Sequence, residues 1–72
     1  MIRWVIRRED GKYSDGHGWV DDIDFARLFD RPSDAVNAWG SLQAMGRAVG
    51  VRAVVVPCGL KYVVVGPGQE LP

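Results

Sequence analysis

The chain has one cysteine and one histidine in 72 residues, so it can close no disulfide within itself and assemble no Cys/His zinc site. Small domains often rely on one of those two devices, because a chain of this length buries only about 60 % of its unfolded surface. Without them, stability must come from packing or from a partner. An excess of charge of one sign is also missing: nine Lys and Arg balance nine Asp and Glu. The sequence therefore lacks the basic patch that drives non-specific binding to phosphate backbones, which disfavours a nucleic-acid partner. There is no apolar run of about 18 residues, so no membrane-spanning helix is expected. No apolar leader follows Met1, since Ile2 enters a strand-like segment carrying Arg3, and a cytoplasmic protein is expected. No internal repeat and no cofactor motif is visible.

What is present is an apolar fraction of 47 % that includes three Trp, enough to exclude disorder. The charges are balanced but segregated. Residues 1–8 carry three Arg and no acid, whereas eight of the nine acids fall in residues 9–34. The early loops are acidic.

Alternation over residues 2–8 puts Ile2, Trp4 and Ile6 on one face of a strand and Arg3, Val5 and Arg7 on the other. Asp10-Gly11 makes a hairpin turn into a second strand at Lys12-Tyr13-Ser14, which is interrupted by Asp15-Gly16-His17-Gly18 and resumes at Trp19-Val20. Ile23, Phe25, Ala26, Leu28 and Phe29 are too apolar to leave in water, so residues 21–31 fold back on the core, with Arg27 to Phe29 adding a short strand. Ser33 is the expected N-cap of a helix whose core face is Ala35, Ala38, Trp39, Leu42, Met45 and Val49, closed by Gly50. Val51–Val56 and Lys61–Val65 form a second hairpin around Pro57-Cys58-Gly59-Leu60. Residues 67–72, rich in Gly and Pro, read as a flexible tail beyond a single domain of residues 1–66. The expected fold is α+β in two layers: an antiparallel sheet of four to five short strands, with one helix on one face, in the order ββ(β)αββ.

The stretch SDGHGWVDD, residues 14–22, concentrates the chemistry. His17 is the one imidazole and could serve as a base, yet sequence supplies no nucleophile or substrate proton for it, and pairing with Cys58 would require two loops to meet. The acids Asp21, Asp22 and Asp24 lack the alternating positions and central Gly of a calcium loop, so Asp22 or Asp24 is better read as the cap of a short helical turn. No catalytic residue and no metal is assigned. A binding surface is the better reading, with Asp15, His17, Trp19, Asp21 and Asp22 in the loop and Arg3, Arg7 and Arg52 on an open sheet face. Arg3, Arg7, Arg8 and Arg52 also support an alternative, an accessory protein associated with nucleic acid.

Val5-Ile6-Arg7, Gly11-Lys12-Tyr13, Gly18-Trp19, Asp22, Ala26, Phe29 and Asp34-Ala35 together resemble a pattern found in small accessory proteins of bacteriophages and prophages. The resemblance covers about residues 4–38, and the shared positions are mostly structural. It implies that Trp19, Ala26 and Phe29 close a core. It also implies a mobile genetic element in a bacterial cytoplasm and a non-enzymatic role, in which the protein occludes a host protein or complex such as a defence system. No membrane partner is implied, and a homodimer would add buried area to so small a domain.

Overall fold

A computed structural model describes residues 2–59 and 64–72. The elements run β1 (Arg3–Arg8), β2 (Tyr13–Ser14), β3 (Trp19–Val20), a single 3₁₀ turn (Ile23–Phe25), α1 (Pro32–Ala44), β4 (Ala53–Cys58) and β5 (Gln69–Glu70). The strands form one antiparallel sheet in the order β3-β2-β1-β4-β5. This is the α+β fold expected, with its one helix and its ββ(β)αββ order.

β1 and β4 are the centre, paired along their whole length from Arg3↔Cys58 to Arg8↔Ala53. Because each carries a β-branched or aromatic run, Trp4-Val5-Ile6 and Val54-Val55-Val56, they suit a pleated surface that is buried. The helix covers one face: Trp39, Leu42 and Ala35 pack against Ile6, Val55, Ala53 and Phe29, with Trp4 and Trp19 at the margin. Pro32 stands at the first helical position, where its missing N–H costs no hydrogen bond. The N-cap is thus Arg31 rather than Ser33, while Asp34 takes its favourable place in the first turn.

The helix also ends earlier than its apolar spacing predicts. Gly46, at φ +74, closes it, with the Gly46 N–H donating to the Gln43 carbonyl (3.1 Å) and the Arg47 N–H to that of Leu42 (2.9 Å). This pair of bonds is a Schellman cap, which requires a left-handed residue just past the helix. Gly50 therefore caps nothing, and Met45 and Val49, expected in the core, are 52 % and 80 % exposed. Ala48 is buried in their place.

The second half of the sheet differs from expectation in three ways. Pro57 and Cys58 lie within β4 and not in a loop. Of the expected return arm, Val64 bridges Cys58 and the Val65 N–H donates to Pro57 (3.0 Å), while Lys61, Tyr62 and Val63 lie outside the described residues. The segment read as a flexible tail completes that arm: Gln69 pairs with Val55 and Glu70 with Val54. Leu71 joins the main core, and the Trp39 indole N–H donates to the Pro72 carbonyl (2.8 Å). Gly68 fits so closely that a Cβ there would come within 2.8 Å of Val56. Glycine content signalled a tight approach here, and not freedom.

The face opposite the helix is not open. Val5, Val56 and Cys58 are all but fully buried on it, under a lid of Ile23, Ala26, Leu28 and Val64. Residues 21–28 cross behind the sheet, so the connection covers the face that one helix cannot reach. The core is two-sided, with β1 and β4 sandwiched between.

Candidate functional site

SDGHGWVDD turns the chain through a reversal. Trp19-Val20 does not continue β2 but pairs back on it, Tyr13↔Val20 and Ser14↔Trp19, and Asp15–Gly18 is the hairpin loop. The Asp15 carboxylate holds that loop by accepting from the His17 (2.9 Å) and Gly18 (2.8 Å) N–H groups. Those two donors lower the Asp15 pKa, since they stabilise its charged form. Gly16, at φ +95, makes the reversal possible. Asp15 is therefore a structural residue of the loop, and His17 stands exposed at its tip.

Trp19 belongs to the fold. Its ring meets Trp39 edge to face at 6.3 Å between centroids, its N–H donates to the Arg47 carbonyl (3.1 Å), and the Arg8 guanidinium sits 5.1 Å from its centroid. The resemblance that made Trp19 a core residue agrees with this arrangement. The reading of Trp19 as an exposed anchor does not.

Cys58 is buried in the second core, where desolvation raises its thiol pKa. A buried, protonated thiol and a histidine at a solvated loop tip make no nucleophile–base pair. Among the described residues no three His, Cys, Asp or Glu side chains are grouped to hold a metal, and no helix is long and apolar enough to cross a membrane.

The arginines are dispersed. Arg3 lies 3.7 Å from Asp30, and Arg8 is held by Asp10, with the Nε–H donating at 2.8 Å. That interaction lowers Asp10 to about 2. Arg7 and Arg52 are exposed and line a shallow concavity of 170 Å³ together with Glu9 and Glu70. Arg3 and Arg8 are each paired with an acid and Arg7 and Arg52 share their concavity with two, so the strand arginines do not sum to a stripe of positive potential.

A concavity of 460 Å³ runs between α1 and residues 27–30, lined by Gly16, Arg27, Asp30, Asp34, Asn37 and Ser41 among others. The Arg27 guanidinium lies over the Phe29 ring at 5.2 Å. This groove is polar and open.

The acidic turn is the most sharply defined surface feature. Asp22 caps the 3₁₀ turn as the sequence predicts, accepting from the Asp24 N–H (2.9 Å). Asp21, Asp22 and Asp24 are all exposed, and Asp21 reaches Lys12 at 3.6 Å. Phe25, expected to fold inward, is 72 % exposed instead. The reason is helical period: with about three residues per turn, Ile23 and Ala26 eclipse one another and both go to the second core, which leaves Phe25 on the outer side. Hydrophobicity alone placed Phe25 inside, and only the phase of a turn whose start Asp22 marks would have put it outside.

No protein-family model, no curated protein and no solved structure matches this chain. The site must be interpreted from its own chemistry.

Proposed function

We propose that this is a non-enzymatic binding protein, encoded by a phage or prophage, that acts in the bacterial cytoplasm by occluding a host protein, such as a component of a defence system. The observation that carries this reading is the exposed acidic turn at Asp21–Phe25, whose conformation is set by its own cap and by backbone bonds before any partner arrives. A preformed charged surface meets its partner without first being ordered, which favours both encounter rate and affinity. The source and the host target rest on the resemblance over residues 4–38, an analogy and not a chemical argument. The nucleic-acid alternative is weakened by the acids that accompany Arg3, Arg7, Arg8 and Arg52.

The test is affinity capture from bacterial lysate, followed by identification of stoichiometric partners. It is repeated with Asp21→Lys/Asp24→Lys, which reverses charge but keeps the Asp22 cap. Loss of a host protein with an unchanged melting curve is the expected result. A partner set indifferent to the charge reversal refutes the acidic surface, and retention on heparin with steep salt dependence would favour the nucleic-acid reading.

A further inference from the structure

Phe25 is an aromatic side chain left in water at a place where the backbone is unusually well fixed. The Phe25 N–H donates to the Asp22 carbonyl (3.0 Å), the Ala26 N–H to that of Ile23 (3.0 Å), and the Arg27 N–H to that of Ser14 on β2 (2.9 Å). Ile23 and Ala26 pin the inner side of the turn to the second core. The ring is thus presented from a rigid base, and among the described residues it stays 72 % exposed.

We propose that Phe25 is the apolar anchor of a protein-docking surface, and that its partner is a basic protein surface with an aromatic-sized apolar pocket, cations forming the pocket's rim. This rests on the reading of the acidic turn as the binding surface and adds what the turn recognises. The occupant follows from charge. Asp21, Asp22 and Asp24 are exposed and flank Phe25 along the same turn, so a phosphate-bearing partner, whether nucleic acid or anionic bilayer, would be repelled. A symmetric contact with a second copy would set the same three acids against themselves. A cationic rim around an apolar pocket satisfies both the carboxylates and the ring, and an apolar, aromatic-enriched centre inside a polar rim is the common anatomy of a protein interface.

Two synthetic peptides serve as probes: an amphipathic helix of Leu and Lys, and a counterpart with every Leu replaced by Ser, which keeps the charge and removes the apolar face. Each is titrated into the intact protein at low and at raised salt, with backbone amides followed by NMR. The Leu/Lys peptide is expected to shift the amides of residues 23–26 and to bind about tenfold more tightly than the Ser/Lys peptide. Phe25→Ala should erase that discrimination, Phe25→Leu should keep much of it, and Asp21→Asn/Asp24→Asn should flatten the salt dependence of both peptides. Because Phe25 is already exposed, the variants are expected to fold. Equal binding of the two peptides, shifts centred elsewhere, no binding at low salt, or discrimination that survives Phe25→Ala would each overturn the proposal. If Phe25→Ala is silent while the charge variants still abolish host-protein capture, the anchor fails and the acidic surface stands. If the reverse holds, the anchor stands and the proposed host-protein function falls.

Discussion

Truncating Val5 separates a one-sided sheet from a two-sided one. Val5 alternates with Ile6 and so points away from the helix, yet it is wholly buried beside Val56 and Cys58 beneath the 21–28 connection. Val5→Ala removes two methyl groups, worth roughly 1.6 kcal/mol at about 0.8 kcal/mol each. The cavity left behind adds about 1 kcal/mol if the lid does not collapse, for a total of about 2–3 kcal/mol. Against the roughly 4–11 kcal/mol that a chain of this size commands, that is a large fraction. It should lower the melting temperature by roughly 10–20 °C, on the scale of about 4–8 °C per kcal/mol for small domains. Urea unfolding followed by tryptophan fluorescence and far-UV circular dichroism gives the difference directly. Arg7→Ala is the control, on the same strand and face but exposed, and should stay within about 0.5 kcal/mol of the parent. If Val5→Ala behaves like Arg7→Ala, the second core does not exist and the acidic turn has no platform.

Two further outcomes follow from local geometry. Gly46→Ala forces a Cβ into the left-handed conformation that the helix cap needs, and should cost about 1 kcal/mol in chemical unfolding, with fraying of the last helical turn visible in amide exchange. Asp10 is lowered to about 2, chiefly by its hydrogen bond from Arg8, so the carboxylate favours folding at pH values above the ordinary carboxyl range. That contribution is lost as the pH falls from there through about 2. Asp10→Asn should flatten the acid side of the stability profile over this window, and added salt should shrink the difference between the two proteins.

Pattern made much of this fold legible. Alternation placed Ile6 and Trp4 on the helical side, β-branched runs marked β4, and Asp34, Trp39 and Leu42 phased the helix. What pattern missed was the competition between a rule and its context. Met45 and Val49 continue the apolar spacing, but a left-handed glycine at position 46 ends the helix before the spacing can be used. Val5 alternates onto the face without a helix, and nothing in its neighbours says that a connection twenty residues on will return to cover it. Residues 67–72 look like a tail by composition, but their pairing depends on a register with β4 that only the folded sheet defines. At the candidate site the acids and the Asp22 cap were readable because capping is local. The outward turn of Phe25 was not, since it depends on which way a three-residue turn faces once Ile23 is seated.

The pairing of β1 with β4 has a consequence for how the protein comes into being. The two strands that hold both cores together are separated by 44 residues of intervening chain, 9–52, and closing such a loop precedes any gain from the contacts it allows. During synthesis β1 emerges long before its partner, so the first hairpin and the acidic turn leave the ribosome with Val5 and Ile6 still bare. The acidic turn has no platform on a nascent chain until β4 has been made. Translation past β4 thus sets the earliest moment at which the proposed docking surface can meet a partner.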